Sequence, residues 1–202
     1  MRESLEGVAV IVLSAGHGSR YRALSDEDKL LAASGPATDA PAVLAATLAA
    51  VAGVGERLLV VARADNPRLL GWLYQVAGDF GAQILVVESN GLGDSLAQAV
   101  AACPARRGWL VALGDMPYLQ RDSARRVAAE IDSGRLVLPV YRGQRGHPRG
   151  IGAAYREQLL ALQGDRGAQA LFAGRPVIEV EVDDPGVLLD IDRPTDRRGF
   201  GE

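Results

Sequence analysis

The chain is poor in the features that mark several common protein classes. It has one cysteine, Cys103, so no disulfide can close within it, which fits a reducing compartment. No apolar run reaches transmembrane length. The first residues, Met1-Arg-Glu-Ser-Leu-Glu6, carry acids where a signal peptide would have an apolar core. Basic charge is not in excess: 22 Lys and Arg stand against 25 Asp and Glu. The basic residues are scattered, apart from pairs such as Arg106-Arg107, so there is no electrostatic footprint for nucleic acid. Internal repeats, low-complexity tracts and linker-like stretches are also missing. These absences predict a single cytoplasmic domain over residues 1–202, with no nucleic-acid partner and no membrane. What the chain has instead is apolar residues, 48% of 202, enough to bury a sizeable core.

Those apolar residues alternate between strand and helix signatures. Val8–Leu13, Leu58–Ala62, Gln83–Val87, Trp109–Leu113 and Leu136–Tyr141 read as strands, the first rich in β-branched residues and buried on both faces. Helical spacing appears at Val43–Val51, at Pro67–Ala77, after Ser95 and around Ala124–Ile131. The small Cys103 ends the third of these as a core residue. Asp39 or Thr38 is expected to cap the first, with Pro41 in its first turn. Trp72 and Tyr74 read as packing residues. Pro139 suggests an edge or irregular strand, and Gln144–Pro148 reads as a turn. Val177–Val182 alternates like a half-exposed strand, and Pro194–Asp196 looks like the start of a terminal helix. Strand and helix in alternation predict an α/β fold, a parallel sheet covered on both faces.

The loops after those strands carry the chemistry. Leu13-Ser-Ala-Gly-His-Gly-Ser-Arg20 follows the first strand. Its small residues can turn backbone N–H groups toward an anion, and Arg20 and Lys29 add two cations. A dinucleotide fingerprint would need glycine at Tyr21, which argues against an NAD(P)-dependent reductase, and no Walker loop is present. The acids Asp26-Glu27-Asp28 read as a solvated turn. Asn90-Gly-Leu-Gly-Asp-Ser95 is a second glycine-rich strand-to-helix junction. Asp115 follows the fourth strand, where a carboxylate suits Mg²⁺ beside a triphosphate; the alternative is a capping aspartate before Pro117. In a parallel sheet these loops gather along one edge.

The glycine loop with its downstream lysine resembles the MobA-like NTP transferases. Further motifs extend the resemblance in order along the chain: Asn90-Gly-Leu-Gly-Asp-Ser-Leu96, Gly114-Asp-Met-Pro117, Arg145-Gly-His-Pro148, Gly164-Asp-Arg-Gly-Ala168 and Leu188–Asp196. Within that family the chain is most similar to the molybdenum cofactor cytidylyltransferases. The resemblance implies a three-layer, Rossmann-like nucleotidyltransferase fold. It implies that the terminal phosphate of molybdopterin attacks CTP, releasing pyrophosphate and giving the cytosine dinucleotide cofactor. Leu13, Ser14, Ala15, Gly16, Gly18, Ser19, Arg20 and Lys29 would hold the nucleotide, with Asn90, Gly93 and Ser95 near its base and ribose. Arg20, Lys29 and Asp115 would be catalytic. Asp115 would bind Mg²⁺ with Asp192 or, second, Asp190; simple turn and capping roles remain the alternative for these acids. His147, Pro148, Asp165 and Arg166 would meet the acceptor, though His147 could equally be a satisfied turn residue. His17 is read as incidental. The family pairs L-A-A-G with CTP and L-A-G-G with GTP, so Ala15 within Leu13-Ser-Ala-Gly16 favours cytosine. Two departures stand out: Arg22 replaces a usual glycine, and the Arg20-to-Lys29 spacer is long. A molybdenum hydroxylase or its maturation factor would receive the product. The rival expectations are guanylyl transfer, transfer to another phosphorylated metabolite, and a non-catalytic protein that delivers cofactor.

Overall fold

A computed structural model describes residues 5–16 and 18–197, without the side chains of Ser19 and Arg20. Seven helices and eight strands organise it. The strands are β1 (Leu5–Leu13), β2 (Gly55–Arg63), β3 (Ala82–Val87), β4 (Gly108–Leu113), β5 (Leu136–Tyr141), β6 (Gln144–Arg145), β7 (Arg149–Gly152) and β8 (Ile178–Glu181). The helices are α1 (Ser19–Arg22), α2 (Val43–Val51), α3 (Pro67–Val76), α4 (Leu92–Ala102), α5 (Arg121–Ala129), α6 (Arg156–Leu160) and α7 (Gln169–Phe172).

The strands form one sheet in the order β3-β2-β1-β4-β7-β5-β6, with β8 added to β5. β3, β2, β1 and β4 run parallel, β7 is antiparallel to both β4 and β5, and β8 is parallel to β5. The carboxyl ends of β1 to β5 and β8 therefore share one edge of the sheet, and the amino end of β7 arrives there too.

Strand alternation divides the core. Val8, Val10 and Val12 face a cluster containing Leu44 and Leu48 of α2, Leu69 and Leu73 of α3, and Val127 of α5. Ala9, Ile11 and Leu13 face the opposite cluster with Leu96 and Val100 of α4, Leu159 of α6 and Phe172 of α7. A strand apolar at every position thus supplies the middle of three layers. The fold is α/β with a mostly parallel sheet and flanking helices, as the alternation predicts. No helix among the described residues is long and apolar enough to cross a membrane.

Several local expectations are corrected. The span 144–152 is not simply a turn: it holds β6 and β7, and β7 is inserted between β4 and β5. β5 is paired on both sides despite Pro139. Its pairing with β7 ends at Val137 and that with β6 begins at Val140, so the missing N–H falls in a gap on that side of the ladder. α2 is capped by Ala42 without a side-chain bond, so neither Asp39 nor Thr38 caps it. Tyr74 is exposed. Pro194–Asp196 is a single 3-10 turn.

Candidate active site

Asp115 is delivered by the tight junction of β4 with β1. The Gly114 N–H donates to the Leu13 carbonyl at 2.9 Å, and the Thr47 hydroxyl donates to the Gly114 carbonyl at 3.1 Å. A Cβ on Gly114 would lie 3.1 Å from the Ser14 Cβ, so the closeness of the two strand ends favours glycine. One residue later the Asp115 carbonyl accepts the Ile191 N–H at 2.9 Å. That bond anchors the segment holding Asp190 and Asp192, which the Asp196 carboxylate turns by accepting the N–H groups of Asp192 and Arg193 at 3.0 and 2.7 Å.

The result is an acidic corner with one ammonium in it. Lys29 Nζ lies 2.6 Å from Asp115 Oδ2 and 3.7 Å from Asp192 Oδ1. Carboxylate oxygens of Asp115, Asp190 and Asp192 all lie within 4.8 Å of one another. Asp115 Oδ1 is buried with no hydrogen-bond partner among the described residues. Asp190 is exposed as a residue, yet partial burial of its carboxyl and then the charges of Asp115 and Asp192 push its pKa up. Three carboxylates converge beside Lys29, and an orphaned buried oxygen needs a partner. Hard oxygen donors at this spacing fit a divalent cation such as Mg²⁺ or Mn²⁺.

Beside this corner the glycine loop opens into a cleft. Ser14 is turned away from it: its N–H and hydroxyl both bond to the Val61 carbonyl, at 3.0 and 2.5 Å. Ala15 is buried. Among the described residues nothing lies within 4 Å of where side chains at Gly16 or Gly18 would project, and Gly18 has a left-handed φ of +57°. Leu13, Ser14, Gly16, Gly18, Lys29 and Asp115 are among the residues lining the cleft. Ser19 and Arg20 lie in α1, but their side chains, like all of His17, fall outside the described residues.

Lys29 is held by a device that the sequence reading passed over. Asp28 is only half-exposed; its carboxylate accepts the Leu30 N–H at 2.9 Å and the Asn66 side-chain amide at 2.7 Å. Asn66 in turn caps α3 by accepting the Leu69 N–H at 3.2 Å. Asp26 and Glu27 are exposed as expected, whereas Asp28 clamps the lysine loop to the start of α3. The Asn66-Pro67 pair at a helix start was the available signal for the cap, but nothing local pointed to Asp28.

The second glycine junction packs against the loop 164–168. The Gly93 N–H donates to the Gly164 carbonyl at 2.8 Å. Asp94 joins both sides, accepting the N–H of Gly164 at 2.8 Å and of Asn90 at 3.1 Å. A Cβ on Gly93 would come within 2.5 Å of the Arg166 carbonyl oxygen, a contact that backbone cannot relieve. Ser95 is fully buried and bonds to the Gly91 carbonyl and the Ser89 hydroxyl. Ser95 and Gly93 therefore shape the junction from within, while Asn90 is exposed at its tip.

A larger cavity of about 460 Å³ lies between this junction and β7. Leu13, Leu92 and Leu113 line both it and the glycine-loop cleft, making the two contiguous. His147, Asp165 and Arg166 line the cavity, as does Arg149, which the sequence reading missed; Pro148 is buried outside the lining. Burial, then the nearby Arg149 guanidinium, pushes His147 down to about 4, so it is neutral at pH 7.

A glycine-rich loop, a cluster of three carboxylates with a lysine, and a contiguous, mainly apolar cavity lie together along the carboxyl edge of a mostly parallel sheet. Residues 10–180 match the MobA-like NTP transferase domain, and the chain belongs to that family. The structure of Rv0371c from Mycobacterium tuberculosis H37Rv is similar over 97% of this chain and 96% of that one, with a TM-score of 0.74 and 28% identity. The manganese complex of Rv0371C from the same organism is similar at a TM-score of 0.67 and 27% identity, over 94% of this chain and 95% of that one. The bifunctional protein GlmU of Kineococcus radiotolerans is 33% identical over 153 residues, 74% of this chain. The chain spans 30–31% of the length of the curated relatives it matches.

Proposed function

We propose that this nucleotidyltransferase uses CTP and molybdopterin, joining them into a cytosine dinucleotide cofactor. An oxygen of the molybdopterin phosphate bonds to the α-phosphorus of CTP. The bond from that phosphorus to the oxygen bridging the β-phosphate breaks, and pyrophosphate leaves with the electron pair. The observation that carries this reading is the Lys29–Asp115–Asp190–Asp192 corner beside the open glycine loop. No proton need move to or from a side chain, so the demand on the protein is alignment and charge neutralisation.

Backbone amides from Ala15 to Ser19 would grip the triphosphate, with Arg20 beside them. Lys29, clamped through Asp28, would neutralise charge on the transferred and leaving groups. Asp115 with Asp192 or Asp190 would hold a divalent cation, which when bound neutralises phosphate charge. Ala15 would crowd a purine and so favour cytosine. Asn90 would reach base or ribose, with Gly93 and Ser95 setting the junction that carries it. His147 and Arg166, with Asp165 and the buried Pro148 supporting them, would meet the acceptor in the larger cavity. We place the protein in the cytoplasm, residues 1–202 acting as one unit, with a molybdenum hydroxylase or its maturation factor receiving the product.

The test is pyrophosphate release from each of the four nucleotides with purified molybdopterin and Mg²⁺ or Mn²⁺. Release with CTP well above GTP supports the proposal. Preference for GTP moves the chain to guanylyl transfer. Turnover only with another phosphorylated metabolite replaces the acceptor. Binding of molybdopterin without release under any nucleotide would make it a delivery protein.

A further inference from the structure

β7 carries a cation on a face built for apolar side chains. Arg149 and Ile151 alternate onto the same face, and Arg149 lies opposite Val111 in the β4 register. Val111 and Ile151 belong to the buried cluster under α4 and α6. The guanidinium therefore enters the larger cavity among leucine, valine and isoleucine side chains. A cation there loses hydration and normally demands a carboxylate in return. None is supplied: among the described residues no ion pair reaches Arg149, and its Nε is buried without a hydrogen-bond partner. Asp165, the one carboxylate among the lining residues, does not pair with it. Its compensation among the described residues is the Phe172 ring, 4.8 Å from Cζ, and a cation–π contact replaces only part of a lost hydration shell. Burial and the nearby Arg145 accordingly push the Arg149 pKa down.

The position matters as much as the charge. Arg149 is level with Val111, two residues short of the strand end at Leu113 and four short of Asp115. At the usual strand rise that sets its backbone roughly 7 Å inward from the edge where the acidic corner stands. A phosphate reacting at that corner and a group held by Arg149 are different groups. We infer that Arg149 seats a second anionic group of the acceptor, remote from the phosphate that reacts, and so selects acceptors bearing negative charge at both ends of an apolar body. This rests on the nucleotidyl-transfer reading for the reacting end, but not on the acceptor's being a pterin.

Two fluorescent probes of equal shape test it: 2-naphthoate and its neutral counterpart 2-naphthylmethanol, titrated against wild type, R149Q and R149K. Wild type is expected to bind the carboxylate at least tenfold more tightly than the alcohol. R149Q is expected to abolish that preference and R149K to retain part of it, with CTP affinity unchanged within about twofold in both. Melting temperature should not fall in R149Q, because an unpaired buried cation is being removed. Equal probe affinities in wild type overturn the inference. So does a preference that survives in R149Q, or an R149Q that only melts earlier. With molybdopterin and CTP, R149Q should raise the KM for the acceptor tenfold or more while leaving the KM for CTP in place. If wild type releases no pyrophosphate yet shows the probe preference and R149Q loses it, the function proposal fails and the anion seat stands.

Discussion

The two halves of the cleft treat charge in opposite ways. At the carboxyl ends of β1 and β4, three carboxylates gather beside Lys29. Across Leu13, Leu92 and Leu113, the larger cavity is mainly apolar, and it holds the half-buried Arg149, which has no carboxylate partner among the described residues. The acidic corner is set near solvent on strand ends and is cross-linked: backbone to backbone at Ile191, and side chain to side chain at Lys29. The cavity is closed by close backbone packing, glycine against loop, between α4 and residues 164–168. One half gathers carboxylates around an amine; the other presents a mainly apolar lining.

Asp115→Asn gives the sharpest break. It removes the charge at the centre of the corner and should lower pyrophosphate release on the order of 10³-fold, comparable to losing a principal electrostatic group. The assay is turnover at saturating nucleotide, with circular dichroism confirming the fold. Retention of more than a tenth of the rate would mean that the corner is not where phosphoryl chemistry occurs. Lys29→Met should cost about 10²-fold in kcat by the same measurement. It leaves the carboxylates intact, so metal binding followed calorimetrically should strengthen. Weaker metal binding in that variant would show that the lysine builds the site instead of competing for it.

On the cavity side, Gly93→Ala forces a Cβ to within 2.5 Å of the Arg166 carbonyl oxygen. It should destabilise the protein by about 1–3 kcal/mol in urea titration and raise the acceptor KM more than the nucleotide KM. Equal effects on both would erase the distinction between the two halves. The effect that is smallest at neutral pH, because it emerges only on acidification, belongs to His147. Its folded pKa, about 4, lies below the ordinary value of 6.5, so between those values the unfolded chain binds more protons. The stability it contributes is fully present above pH 6.5 and is lost as pH falls toward 4, by up to about 3 kcal/mol. His147→Asn should flatten that part of the stability profile; an unchanged slope would mean the imidazole is not held neutral.

Much of this was legible along the chain, for definable reasons. Val8–Leu13 announces a doubly buried strand because every position is apolar, and both core clusters confirm it. The capping of α3 follows from Asn66 standing before Pro67. β7 was missed because Arg149-Gly-Ile-Gly152 offers one β-branched residue in four. Its glycines are there for another reason: side chains at Gly150 and Gly152 would run into Ile131 and into the backbone at Asp132 and Ser133. No local pattern encodes a clash with a segment some 20 residues earlier.

The sequence by itself determined the layered α/β arrangement, the glycine-rich loop after the first strand and the family to which the chain belongs, because periodicity, small-residue loops and ordered motifs are properties of neighbours in the chain. Tertiary structure alone decided which acids meet. Lys29, Asp115 and Asp192 are far apart along the backbone, and their distances of 2.6 and 3.7 Å exist only because two strands and a returning loop end at one sheet edge. It decided equally that Asp28 is a clamp, that Ser95 is interior and that Arg149 has no carboxylate partner among the described residues. Burial and pairing depend on what is absent or present in space around a group, and that is settled by packing, not by the order of residues.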